Sequence, residues 1–182
     1  MLFAYISSAP AVMMDYFEVD EVTFALIFGA LALCFAAGAS LNSRLLKSFE
    51  IPPLLVVFVA VQLVAAILVL VDVSLEPSLL VVAVGVGMAM MTVGVIISNA
   101  TALCLENFPK SAATAAGLLG VFGLMVGASV TTVLAALHLP VILELGAAML
   151  CGALAGAALL GPVVKGKDHQ SAIESESDTS VT

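Results

Sequence analysis

The chain has 182 residues, of which 63% are hydrophobic and only 10% are charged, and its formal net charge is −8. Soluble domains are typically about half apolar and a quarter charged, so a soluble fold of this length could not hide so much apolar surface. The composition therefore predicts an integral membrane protein with the lipid bilayer as its solvent. Its few basic residues form no patch that would bind nucleic acid.

The N-terminal segment, residues 1–14, is apolar but shorter than the roughly 20 residues that a helix needs to cross the hydrocarbon. It lacks the positive start of a signal peptide, because the first basic residue of the chain is Arg44. We therefore predict that this segment is the outer end of a truncated spanning helix. Pro10 removes a backbone donor and should kink that helix. Kinked helices often line the substrate paths of transporters.

Further apolar runs are each long enough to span the bilayer. The predicted spans are 22–41, 52–71, 79–105, 112–137 and 141–164. Together with residues 1–14 they predict an all-α transmembrane bundle over residues 1–165. The remaining residues, 166–182, are rich in Ser, Glu and Asp and are predicted to form a disordered acidic tail.

The basic residues predict the orientation of the bundle. They occur only after the first, third and fifth full spans, at Arg44, Lys47, Lys110, Lys165 and Lys167. Loops rich in Lys and Arg face the cytoplasm. We therefore predict that these loops and the C-terminus are cytoplasmic, in a bacterial-type inner membrane.

Polar residues at membrane depth are few, and they are the candidates for function. Such groups tend to face the bundle interior or a wet cavity, although Ser and Thr can instead bond carbonyls of their own helix. The amide of Asn99 needs several partners, and the sequence leaves cavity lining and interhelical bonding equally open. Glu144 is the only acid inside a predicted span, and its closeness to Pro140 favours a position at the membrane interface.

A row of glycines marks one face of span 112–137. Gly117, Gly120, Gly123 and Gly127 recur every three or four residues. Small residues at this spacing allow a neighbouring backbone to approach closely. The pattern favours helix packing inside the bundle, with a sliding surface for transport motion as the sharper alternative.

No catalytic or cofactor motif stands out. His138 and His169 have no nucleophile at a plausible spacing, and the three cysteines lie in or beside apolar runs without further metal ligands. We therefore expect no enzyme activity, no metal and no cofactor. A transporter is the favoured function, and a non-transporting membrane scaffold or assembly protein is the alternative.

Ordered motifs resemble the C-terminal half of the bicyclomycin/chloramphenicol-resistance (Bcr/CflA-type) transporters, which are drug:proton antiporters of the major facilitator superfamily. The motifs are 3–10 (FAYISSAP), 41–44 (LNSR), 99–103 (NATAL) and 118–120 (LLG). The similar region runs from residue 1 to about residue 164. The resemblance implies helices seven (partial) to twelve of a twelve-helix transporter. It also implies that a missing or separately encoded N-terminal half carries the proton-coupling groups.

The resemblance further implies roles for individual residues. Candidates for contacts with a small hydrophobic drug in a central cavity are Tyr5, Ser7, Ser8 and Asn99. Asn42 and Arg44 would belong to a cytoplasmic gating turn.

Overall fold

The computed structural model describes residues 2–107, 111–137 and 140–158. The described chain is all-α: α1 (Leu2–Pro10, continued by a π-helical turn over Ala11–Tyr16), α2 (Glu21–Leu45), α3 (Ile51–Ser74), α4 (Leu79–Asn107), α5 (Ala112–Ala136) and α6 (Val141–Ala158). By length and composition, α2 to α6 can each cross a bilayer. The predicted all-α membrane fold is thereby confirmed. The predicted tail, 166–182, and the end of the last predicted span, 159–164, lie outside the described residues.

The first helix changes its hydrogen-bond pattern at Pro10. The α-helix ends there, and Ala11–Tyr16 continues as a π-helical turn. Proline has no N–H to donate, so the regular ladder is interrupted, and the backbone adopts the wider i→i+5 pattern. Glu18 follows with a φ of 53°, in the left-handed region. The π-helical turn still buries Val12 and Met13, and the kink expected at Pro10 stays a prediction.

Local chemistry explains where α2 and α3 begin. The carboxylate of Asp20 accepts hydrogen bonds from the backbone N–H groups of Val22 and Thr23, both at 3.2 Å, and so caps α2. Hydrogen bonds from Thr23, its side chain first and its backbone second, hold the pKa of Asp20 below its ordinary value. Helix α3 carries Pro52 in its first turn, where the fixed φ of proline suits a helix and its missing N–H leaves no bond unmade.

Helix α4 is the centre of the bundle, with α2 along one side and α3 along another. Two glycines permit the close approach of α2 and α4. A Cβ at Gly38 would collide with the carbonyl oxygen of Met91, and a Cβ at Gly94 would collide with that of Phe35. The distance between these two helix backbones is therefore set by Gly38 and Gly94.

The main apolar core joins α1, α2, α3, α4 and α6. Val69 of α3, Val86 of α4 and Met149 of α6 are fully buried in it. Helix α6 lies against α3, where Gly146 faces the side chain of Leu70. Among the described residues, helix α5 contributes none to this core. Its buried Leu134 instead belongs to a small separate cluster with Ala148 of α6.

The glycine row of α5 lies mostly on an open face. A Cβ at Gly117, Gly120 or Gly123 would have no described atom beyond its own helix within 4 Å, whereas Gly127 is buried. The helix packing predicted for this row stays a prediction, because the described residues place no neighbour on Gly117, Gly120 or Gly123. The physical reason is that the buried residues of α5, Gly127 and Leu134, lie in its C-terminal half.

Candidate functional site

Tyr5 is the most distinctive of the predicted site residues. It is only 3% exposed, and its ring stacks on Phe28 of α2 with centroids 5.9 Å apart and an interplanar angle of 16°. Among the described residues, its hydroxyl is the one buried side-chain polar atom without a hydrogen-bond partner. An unsatisfied buried polar group costs about 1–3 kcal/mol, so its persistence calls for a physical reason.

The two serines of α1 occupy different surroundings from Tyr5. Ser7 is exposed and Ser8 is half-buried, while Ala9 is buried beside them. Successive residues of a helix point in directions about 100° apart, so Tyr5 and Ser8 share one face and Ser7 lies off it. Of the three predicted cavity residues on α1, Tyr5 is the one that the bundle encloses.

A cavity of about 160 Å³ lies beside Tyr5, between α1, α2 and α4. Its lining is almost wholly apolar and consists of Leu2, Tyr5, Ile6, Phe28, Leu31, Ala32, Phe35 and Met90. Two of its three helices, α2 and α4, are long and apolar enough to cross a bilayer. A concave site with a predominantly apolar lining is typical of small-molecule sites.

The α2 wall of this cavity was missed by the sequence analysis, because apolar residues within a membrane span carry little signal. A weak signal does exist. Phe24, Phe28, Leu31 and Phe35 follow one another at intervals of four, three and four residues, the spacing of one helical face. Such an aromatic face is unusual in a chain whose aromatic content is only 6%.

Asn99 forms an interhelical amide pair with Asn42. The side-chain N–H of Asn42 donates to Oδ1 of Asn99 at 3.0 Å, and that of Asn99 donates to Oδ1 of Asn42 at 2.9 Å. Both residues are buried, at 3% and 0% exposure. Of the two alternatives that the sequence left open for Asn99, the structure shows interhelical bonding.

The amide pair is remote from the cavity. Phe28, which touches Tyr5, and Asn42 lie 14 residues apart on α2 (42 − 28), which corresponds to about 21 Å along a helix. The structure therefore does not bring Asn99 together with Tyr5, contrary to the expectation that they line one cavity. The physical reason is that Asn42 meets the buried amide of Asn99 near the far end of α2.

Arg44 lies two residues beyond Asn42, exposed in the last turn of α2. A cation in the last turn is stabilised by the partial negative charge at a helix C-terminus. Asn42 thus fixes this helix end from inside the bundle, while Arg44 presents its charge outside. The gating role of both residues stays a prediction.

A second buried polar contact joins α3 and α4 at Gln62 and Thr92. The hydroxyl of Thr92 donates to the carbonyl of Ala89 at 2.8 Å, and Oε1 of Gln62 lies 3.5 Å from the same hydroxyl. A hydroxyl has one proton, and the shorter contact is the better hydrogen bond. Thr92 therefore satisfies its own helix first, and we assign this contact to packing.

The sequence is similar to that of a bacterial transporter. It is 25% identical over 154 residues to YdgK of Bacillus subtilis (strain 168), an uncharacterized MFS-type (major facilitator superfamily) transporter. The match covers 85% of this chain and 38% of the relative, so the chain spans well under half the length of that protein. No family model matches the chain, and no solved structure matches it.

This similarity supports membership of the major facilitator superfamily. Together with the apolar helices α2 to α6, it supports an integral membrane protein with a role in transport. It points to a non-enzymatic transporter, and the six-helix arrangement fits one half of such a protein.

Proposed function

We propose that this chain is the C-terminal half of a Bcr/CflA-type transporter that exports small hydrophobic drugs in exchange for protons. The observation that carries the proposal is the apolar cavity beside Tyr5, enclosed by α1, α2 and α4. Its wall matches the apolar part of such a substrate, and the motif at residues 3–10 that resembles this transporter family contains Tyr5.

The proposed transporter needs a second half. Support comes from the chain covering only 38% of its MFS-type relative. Further support comes from the open face of α5 at Gly117, Gly120 and Gly123, which no described residue covers. In alternating access, two such halves rock against each other around a site near the midplane. A smooth face of small residues suits a contact that slides during this motion.

Proton coupling is assigned to the N-terminal half. Glu144 is half-buried, and it lies in the first turn of α6, where the backbone N–H of Glu144 bonds to the carbonyl of Pro140 at 3.0 Å. This position suits the membrane interface better than a proton path through the bilayer centre. The proposed location is the bacterial inner membrane with a cytoplasmic C-terminus, in keeping with the one-sided basic residues.

The direct test is transport by an assembled protein. The chain is joined to the N-terminal half of the Bacillus relative and reconstituted into liposomes, and ethidium movement is followed under an imposed pH gradient. We expect movement that follows the gradient and disappears with a protonophore. Gradient-independent movement would contradict antiport. A folded, inserted protein that moves no ethidium would favour the scaffold function instead.

A further inference from the structure

We propose that α5 is a swinging arm: residues 116–126 move as a unit about a hinge at residues 127–132, while the end of α5 stays anchored to α6. Three features support it: an arm without packing, an anchor at the other end and a weakened backbone ladder between them. The role of the arm in alternating access rests on the proposed function, whereas the movement itself does not.

The arm, residues 116–126, packs against no described helix. All eleven of these residues are exposed, and eleven residues make about three full turns, so no side of the helix is covered. A helix that is embedded in a bundle hides at least one face. Lipid tails are as apolar as the side chains of the arm, so the arm can move among them without losing a contact to protein.

The other end of α5 is anchored. Gly127 and Leu134 are its buried residues, and Leu134 packs with Ala148 of α6. Gly127, Val130, Thr131 and Leu134 are buried or half-buried and follow at intervals of three, one and three residues, the spacing of one helical face. Burial on that face thus begins at Gly127, immediately after the exposed arm.

The backbone ladder is weakened where the arm meets the anchor. The hydroxyls of Ser129, Thr131 and Thr132 donate to the carbonyls of Met125, Gly127 and Ala128 at 2.8, 2.8 and 2.9 Å. A hydroxyl that bonds to the carbonyl four residues earlier slightly destabilises the helix and often bends it. Gly127 adds backbone freedom at the same place, and glycine and serine together are a common cause of bending in helices. The hinge therefore lies at residues 127–132.

The arm is long enough for its movement to matter. Eleven residues correspond to about 16 Å, and a change in tilt of about 20°, well within the range of spanning helices, displaces the tip by about 5 Å. The four residues between α4 and α5, 108–111, can reach about 13 Å when extended, so the connection can follow such a shift.

The displaced tip lies at one membrane face only. Helices α2 and α5 are separated by two crossings, α3 and α4, so α5 begins on the side at which α2 ends. The arm therefore changes the width of the bundle on the side of Arg44, while the anchored end keeps the opposite side closed. A one-sided opening of this kind is what alternating access uses.

The test measures distances within the full chain in lipid nanodiscs by double electron–electron resonance. The three native cysteines are replaced by alanine, and nitroxide labels are attached at exposed positions. Ala116→Cys with Ser43→Cys reports the arm against the end of α2. Val133→Cys with Val22→Cys reports the anchored end of α5 against the start of α2.

A hinge variant and a matched control accompany the two label pairs. Ser129→Ala, Thr131→Val and Thr132→Val together remove the three hydroxyl bonds of the hinge. Ser98→Ala is the control, because the Ser98 hydroxyl bonds to the carbonyl of Gly94 at 2.7 Å in the well-packed α4.

We expect the distance distribution of the arm pair to be about twice as broad as that of the anchored pair, because few contacts hold the arm. The hinge variant should narrow the arm distribution toward that of the anchored pair, and Ser98→Ala should change neither. An arm distribution as narrow as the anchored one would overturn the swinging arm. An unchanged breadth in the hinge variant would overturn the assigned hinge. Distances are measured without transport, so the absence of efflux would overturn only the proposed function.

Discussion

Asn42 and Asn99 exchange two side-chain hydrogen bonds across the α2–α4 interface, at 3.0 and 2.9 Å, and both are buried. Each side-chain amide donates one hydrogen bond to the other and accepts one from it, so burying the intact pair costs little free energy. Removing one partner leaves the other amide buried in an apolar surrounding. The pair therefore fixes the register of the two most closely packed helices at the end of α2 that bears Arg44.

The first prediction concerns the coupling of this pair. Asn42→Leu and Asn99→Leu should each lower the free energy of unfolding by about 1–2 kcal/mol, because each leaves the other amide buried without its hydrogen-bond partner. The double variant should be less destabilised than the sum, with a coupling of roughly 0.6–1.7 kcal/mol. Detergent-induced unfolding of the purified chain in mixed micelles measures this. Ser43→Ala is the control, since the Ser43 hydroxyl is exposed and bonds its own helix at Ser40. Strictly additive losses would argue against a coupled pair.

The second prediction contrasts two kinds of glycine. Gly38→Ala places a methyl group against the carbonyl of Met91 and should cost about 1–3 kcal/mol, as overpacking does. Gly120→Ala meets no described atom and should leave the stability of the chain unchanged or slightly higher, because alanine is the better helix former. The same unfolding assay compares the two variants. Equal destabilisation would mean that α5 packs against the bundle more closely than the structure shows.

These two cases show what the sequence could and could not predict. The spans were predictable, because apolar runs of about 20 residues have few alternatives in a bilayer. The Asn42–Asn99 pair joins positions 57 residues apart and depends on the relative register of two helices, which no local pattern encodes. Glycine spacing likewise shows that a smooth face exists but not what covers it. The isolated Gly38 forms a close contact, while Gly117, Gly120 and Gly123 of the regular row on α5 meet no described neighbour.

The third prediction concerns topology and rests on the one-sided basic residues. Reporter fusions after Lys47, Lys110 and Lys167 should be active in the cytoplasm, and fusions after Ser74 and His138 on the opposite side. Lys110, His138 and Lys167 lie outside the described residues, so the fusions test the orientation independently of the structure. An external signal at Lys110 would overturn the span assignment.

The fourth prediction concerns the predicted gating turn. In the transporter assembled with an N-terminal half, Arg44→Ala should change the drug efflux rate by about twofold or more. Membrane insertion should persist, because Lys47 still marks the cytoplasmic side. Lys47→Ala is the matched control, since it removes an equal charge just beyond α2. Equal effects of the two substitutions would indicate that general charge, rather than the position of Arg44, is responsible.

The proposal that this chain is one half of a transporter is tested by drug efflux from the chain alone. The chain is expressed in a strain that lacks its major efflux pumps, with and without an N-terminal half, and ethidium efflux is recorded before and after an uncoupler is added. Membrane insertion is verified in both strains. We predict uncoupler-sensitive efflux only when the second half is present, because the open α5 face and the Tyr5 cavity need an opposing body for alternating access. Robust uncoupler-sensitive efflux from the chain alone would contradict this claim and favour a homodimer of this chain.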